Sequence, residues 1–432
     1  MSVGTSDLMT MLKCEDMRKL IVNRLQAPVV FKGMIESWKC SSWLVKDWIE
    51  ACQDLKFNFR VALKGEPRWE RDADYIKCSL QEFFDWVNET ASKESSLASY
   101  SPSTHWCYSS YNYMSKVFES IPHILQVVDW KTFGFENRKG KESTFWVGSS
   151  GAHTPCHQDT YGCNLVAQVC GRKRWVLFPP EDVAHLYPTR IPYEESSIFS
   201  EVNVTCPDLS KHPKFRNAHP YIITLEPGEV LFVPKLWWHF VECLEPSISV
   251  NTWIELPSDE ESRLNEAVVR TLMTALIPVY QPDEMEWINP TEELVSPEET
   301  LHYIRIVLNN LCNQREKNIF TSDMTQQVGS DGSCEKKRRL HETGATGSYQ
   351  DVTSEYAWIT KVPSLTFTEF QNVCCANNKD KKGLEGLSCS SSNIEVPLKD
   401  VLNSFVHPDV VQCVVDKLTN LFTCTSSETN KV

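Results

Sequence analysis

The chain has 432 residues, room for two or three domains at roughly 100 to 200 residues each. Hydrophobic residues at 41% and 14 tryptophans exclude wholesale disorder and low-complexity scaffolds, because such a chain can bury enough apolar surface to offset its ordering entropy. A formal charge of −14 argues against nucleic acid as a partner, since phosphate binding needs a basic face. Between Ser258 and Thr300 eleven acidic residues face two basic ones, so the acidity is local. The N-terminus lacks the apolar core of a signal peptide and no stretch is long and uncharged enough to span a bilayer, so no membrane is expected. Seventeen cysteines, an odd number, fit reduced thiols and a cytoplasmic protein.

Residues 1–142 read as N-terminal α/β elements, with a helical pattern from Met17 to Leu25, the apolar PVVFKGMI from Pro28, and SLQEFFDWV. From 143 to 257 the chain becomes short apolar runs broken by Gly and Pro (STFWVGSSG, NLVAQVCG, KRWVLFPP, YIITLEPGE, VLFVP, SISVNTWIEL), which predicts an antiparallel sandwich or barrel. A short turn at Gly171 is expected to return the chain antiparallel to Asn164–Cys170. Residues 258–320 read as a helical appendage. Ser258 with Glu261 predicts a capping box ahead of Leu264, Val268, Leu272 and Leu276. Ser296, Pro297 and Glu299 start a second helix carrying Leu301, Ile304, Leu308 and Leu311. Residues 321–393 are expected to be mostly disordered linker, polar over Thr321–Tyr356 and Asn377–Asn393. Its KKRR at Lys336–Arg339 is a weak nuclear signal that reads more simply as a solvated loop. Residues 394–432 carry an amphipathic helix with Val410, Val411, Val414, Val415, Leu418, Leu421 and Phe422 on one stripe.

The chemistry concentrates in GAHTPCHQDTYGCN. His157 and Asp159 stand two apart in a strand, where residues i and i+2 share a face. One imidazole and one carboxylate leave a metal site incomplete, and His239 in LFVPKLWWHFVE is the best third ligand. Two His and one carboxylate make a facial triad that leaves the opposite positions open, the pattern of non-haem Fe(II) oxygenases. An H-x-D triplet alone is common, and His239 beside two tryptophans also fits an ordinary packed histidine. Lys173 raises the odds, because a charge in an apolar strand needs a partner; it reads either as a snorkelling lysine or as a cation awaiting a dicarboxylate. His153, four before His157, is not added, since Gly151 and Pro155 make a helix there improbable. Cys156, Cys163 and Cys170 lack zinc-site spacing and read as buried thiols. Cys156 and Cys163 flank the first two ligands, which makes oxidation a route of inactivation to test. Trp175, Trp237, Trp238 and Trp253 read as packing of the barrel and its rim.

HTPCHQD, GCNLVAQVCGRKRWVLFPPED, LEPGEVLFVPKLWWHFVE and SISVNTW together resemble the cupin-type JmjC domain of 2-oxoglutarate-dependent oxygenases, over about Pro28 to Leu256. The resemblance implies an α+β chain built on a double-stranded β-helix, the cupin jelly roll, with N-terminal α/β elements and C-terminal helices. It implies Fe(II) held by His157, Asp159 and His239, O2, and 2-oxoglutarate as cosubstrate, its far carboxylate held by Lys173 and Thr154. Asn164 and Asn251 match asparagines lining the cosubstrate site. Asn164 lies one residue further from His157 than in the asparaginyl-hydroxylase branch, which leaves its role and that of Tyr161 open. Tyr108 and Tyr111 are candidates to complete the far pocket. The activity implied is protein hydroxylation. The branch resembled over the whole length is associated with a small heat shock protein, which implies such a partner, a role in stress response, and an alternative reading as a non-catalytic adaptor. The two helices after the barrel fit either a homodimer interface or a cover over a barrel edge.

Overall fold

A computed structural model of the chain describes residues 12–53, 55–65, 69–280, 287–290, 292–326, 355–374 and 398–428. Its strands are β1 (Val29–Phe31), β2 (Lys56–Leu63), β3 (Asp74–Ser79), β4 (His105–Tyr113), β5 (Thr144–Gly148), β6 (His153–Asp159), β7 (Cys163–Cys170), β8 (Lys173–Phe178), β9 (Pro188–Thr189), β10 (Ser197–Ser200), β11 (Tyr221–Leu225), β12 (Val230–Val233), β13 (Trp238–Cys243), β14 (Ser247–Ile254) and β15 (Ile359–Lys361). The α-helices are α1 (Cys14–Lys19), α2 (Val45–Cys52), α3 (Leu80–Val87), the single turn α4 (Met114–Val117), α5 (Asp259–Tyr280), α6 (Pro297–Gln326), α7 (Phe367–Cys374), α8 (Leu398–Phe405) and α9 (Pro408–Glu428). The major sheet runs β15-β1-β12-β7-β14-β5-β4-β2-β3 and the minor sheet β11-β8-β13-β6-β10-β9. Paired strands are antiparallel, and the two sheets make the expected jelly roll.

Side-chain alternation explains why the central strands read as continuous apolar runs. On β7 the odd positions Cys163, Leu165, Ala167 and Val169 pack outward into a core shared with α1, α2 and α3, while Asn164 and Val166 face the space between the sheets. On β14 Ile248, Val250 and Ile254 face the same outer core, and Ser249, Asn251 and Trp253 face inward. A strand covered on both faces loses the apolar–polar rhythm of a half-exposed one. The N-terminal elements are not a separate layer of strands, since β1 to β4 extend the major sheet itself.

The hairpin expected at Gly171 is corrected. β7 is flanked by β12 and β14 in the major sheet, so both its ladder sides are taken, and β8 pairs instead with β11 and β13 in the minor sheet. Gly171 is the corner between the sheets. Its φ is +63°, and a Cβ there would lie 2.2 Å from the Pro246 carbonyl oxygen. The appendage also differs in detail. Ser258 Oγ accepts from Lys235, and the Asp259 carboxylate at the start of α5 ties the helix to the strands before it, accepting from the N–H groups of Leu256 (2.8 Å) and Gly162 (3.0 Å). Ser296 and Glu299 do form reciprocal capping bonds.

The stretch read as linker to residue 393 contains built structure. β15 pairs with β1, and Phe370 of α7 packs on Phe178 and Phe215 outside the minor sheet. The polar stretch Asn377–Asn393 and KKRR lie outside the described residues, as does most of Thr321–Tyr356. The C-terminal segment forms two helices separated before Pro408. Within its stripe Val411, Val415, Leu418 and Phe422 pack on α5 and α6, while Val410, Val414 and Leu421 are exposed. Among the described residues no helix is long and apolar enough to cross a membrane.

Candidate metal centre

The pairing of β6 with β13 places His239 directly opposite His157. Asp159, two residues on, shares their face, and one ligand atom from each of the three lies within 4.8 Å of the other two. The imidazole rings are 4.2 Å apart; Asp159 sits 3.5 Å from His157 Nε2 and 4.0 Å from His239 Nε2. Each ring is oriented by the strand: His157 Nδ1 meets the Pro155 carbonyl at 2.8 Å and His239 Nδ1 the Trp237 carbonyl at 3.0 Å. A carbonyl only accepts, so each Nδ1 carries the proton and each Nε2 presents its lone pair to the centre. Trp253 Nε1 donates to the Asp159 carboxylate at 2.9 Å, fixing it from the other sheet.

Electrostatics favour the metal-binding form of two of the three donors, His239 and Asp159. Burial, reinforced by the charge of His157, pushes His239 down to about 4, so it is neutral near pH 7. Burial alone would raise the Asp159 carboxyl, but the adjoining His157 and His239 rings and the Trp253 N–H together hold it below its ordinary value. His157 moves the opposite way: burial works against its charged form, and the adjacent Asp159 overrides it.

A cavity runs from these ligands to Lys173. Lys173 is buried and its Nζ donates to Ser249 Oγ at 2.7 Å, with the Tyr108 ring 5.3 Å away. Among the described residues no carboxylate lies within ion-pair distance of it. A buried cation with only a hydroxyl and an aromatic ring for company is costly, so this position favours an anionic ligand. Thr154 faces the same cavity although it is three residues from His157. His239 and Val241 oppose His157 and Thr154, so β6 spends one extra residue, and this bulge turns Thr154 inward. A second bulge, in β4 between Ser109 and Asn112, brings Tyr111 to the face of Tyr108. Asn251 Nδ2 donates to Asn164 Oδ1 at 2.8 Å and Asn251 Oδ1 accepts from Trp146 at 2.7 Å, so both asparagines line the wall. Tyr161 points away, under Arg263, into a neighbouring groove.

The sequence reading missed Ser249, Trp146 and the role of Trp253. Period-two reading of SISVNTW from Asn251 would have found Ser249 and Trp253. Trp237 and Trp238 pack as expected, whereas Trp175 lines the cavity with its ring 5.8 Å from that of His239. His153 turns to Trp106 and Phe240 and takes no part. Cys156 and Cys163 are buried, and burial raises both thiols, Cys163 to about 12, which disfavours the thiolate that oxidation requires.

A family model described as a cupin-like domain matches residues 18–260, more than half of the chain. The chain belongs to the cupin-like family. Within that family it is similar to HSPB1-associated protein 1 of Bos taurus, 46% identical over 301 residues covering 68% of this chain and 62% of the relative. The Danio rerio homologue of that protein is 36% identical over 442 residues, covering 94% of this chain and 96% of the relative. The Xenopus tropicalis lysine-specific demethylase 8 is 30% identical over 239 residues, 53% of this chain and 48% of that relative. The chain thus spans less than two thirds of the bovine relative's length. Cupin-like relatives therefore include an enzyme that acts on lysine, and the JmjC-type resemblance read from the motifs is the same family assignment.

Proposed function

We propose that this cupin-like protein is an Fe(II)- and 2-oxoglutarate-dependent oxygenase that hydroxylates a protein. The observation that carries the reading is the pairing, in one cavity, of a three-donor cluster and a buried lysine without a counter-anion. The donor set of two imidazoles and one carboxylate fits iron, and the orphan Lys173 fits the far carboxylate of a dicarboxylic acid. His157, Asp159 and His239 would hold the metal; Lys173, Thr154 and Tyr108 would hold the cosubstrate's far end. Bound iron with 2-oxoglutarate and O2 supplies oxidative decarboxylation to succinate and CO2, coupled to insertion of one oxygen atom into a substrate C–H bond. The chain's own work is placement. Backbone carbonyls lock both rings, Trp253 fixes the carboxylate, and Trp146, Trp175 and Tyr111 wall the cavity against water.

Anaerobic addition of 2-oxoglutarate to the iron-loaded protein should give the visible charge-transfer band of a chelated complex, and His157→Ala should abolish it. A native protein with neither that band nor succinate release would sink the reading. The names of the HSPB1-associated relatives favour a second role, as a partner of a small heat shock protein. Binding of that partner by the full chain carrying His157→Ala separates the two roles: undiminished binding marks an adaptor function that needs no metal.

A further inference from the structure

Outside the candidate centre, Asp182, His185 and His219 also bring one ligand atom each within 4.8 Å of one another. None of the three lines the cavity of the first site. Asp182 is buried, at 1% exposure, and its Oδ1 meets His185 Nδ1 at 3.2 Å and His219 Nδ1 at 2.8 Å. Its Oδ2 accepts from the His219 backbone N–H at 2.6 Å. Among the described residues no lysine or arginine pairs with this carboxylate, which is met by the two imidazoles and one backbone N–H. A buried carboxylate is costly unless a cation neutralises it. Two atoms bound at about 2.0–2.1 Å to one tetrahedral ion lie roughly 3.3 Å apart, near the 3.2 Å from Asp182 Oδ1 to His185 Nδ1 and somewhat longer than the 2.8 Å to His219 Nδ1.

We propose that Asp182, His185 and His219 form a second metal site, which takes a zinc ion with water as its remaining ligand. Imidazole nitrogen with carboxylate oxygen and no thiolate is a zinc donor set, and each neutral ring would bind through Nδ1 with its proton on Nε2. His219 has a side chain 70% exposed, which leaves the open face to water. The topology explains why the three meet. Asp182 and His185 lie in the turn just after β8, His219 lies just before β11, and β8 and β11 are paired with Leu177 opposite Tyr221. The ion therefore clips together the two ends of the excursion from Leu186 to Ala218. That excursion carries β10, whose Phe199 pairs with His157, so the second ion braces the strand beside the first site.

The test is zinc stoichiometry of the full chain after chelator treatment. Wild type should bind two equivalents, and His219→Ala, a change at an exposed side chain, should bind one; His185→Ala should match it. With His157→Ala and His239→Ala combined, the single remaining equivalent should raise the melting temperature, and adding His219→Ala should remove both the binding and the rise. X-ray absorption on that remaining zinc should show a nitrogen and oxygen shell without sulfur. Unchanged stoichiometry in both His185→Ala and His219→Ala, or no saturable zinc once the first site is removed, would overturn the proposal and leave the cluster a hydrogen-bonded hub. Neither result depends on whether the first site is catalytic.

Discussion

Lys173 concentrates the tension between stability and function in one side chain. Its ammonium is buried with one hydroxyl and the Tyr108 ring beside it, an arrangement that an apolar residue of similar length would improve in the absence of an anion. Lys173→Met should therefore stabilise the protein lacking 2-oxoglutarate by about 1–3 kcal/mol, seen as a higher urea midpoint, while abolishing the protection that 2-oxoglutarate gives wild type. A destabilised variant would mean that the lysine is already satisfied. Trp253 makes a different kind of contribution, since its indole touches the carboxylate rather than the metal. Trp253→Phe keeps the ring and loses the donor, so iron affinity should fall about 10–100-fold with the fold intact, read by iron titration. Affinity equal to wild type would show that the carboxylate needs no such anchor. Both residues were visible in the sequence to different degrees: a charge inside KRWVLF is conspicuous, whereas one more tryptophan among fourteen is not.

Strands and turns were legible where local chemistry decides them, and illegible where partner choice does. His157 and Asp159 follow from period two alone, but Thr154 reaches the cavity only through a bulge in β6, and a bulge is set by the register against β13. The same limit produced the wrong hairpin at Gly171. A left-handed glycine serves a tight hairpin and a corner between sheets equally well, and only the occupied flanks of β7 decide between them. Residues 355–374 were hidden for a related reason, because β15 is three residues long and is held by the ladder it joins. The corner glycine gives a direct measurement. Gly171→Ala combines positive φ with a clash against the Pro246 carbonyl, and should cost at least about 1–3 kcal/mol from backbone strain alone. Gly228→Ala, also at positive φ but with nothing near its Cβ, should cost less; equal losses in chemical denaturation would remove the clash from the account.

Across the whole molecule the helical appendage is joined to the jelly roll by charge as well as by apolar packing. Arg190 pairs with Glu266 of α5, Arg270 with Glu195 at 3.0 Å, and Asn289 donates to Glu194 at 2.7 Å, while Ile191 and Tyr193 enter the core of α5, α6 and α9. Glu292 faces this junction from the appendage. Burial, and then the charges of Glu194 and Glu195, push its carboxyl up to about 7, with Arg270 only partly opposing them. A carboxyl whose value is higher in the folded than in the unfolded chain means that the folded state binds the extra proton. Stability from this group is therefore full below the ordinary value of 4.5 and is lost as pH rises through about 7. Glu292→Gln mimics the protonated form at every pH. Its advantage over wild type in denaturant unfolding should be absent at acid pH, grow between about 4.5 and 7, and level off above. Parallel curves for the two proteins across that window would show that Glu292 ionises without strain, and the junction would then rest on its three polar pairs and the shared apolar core.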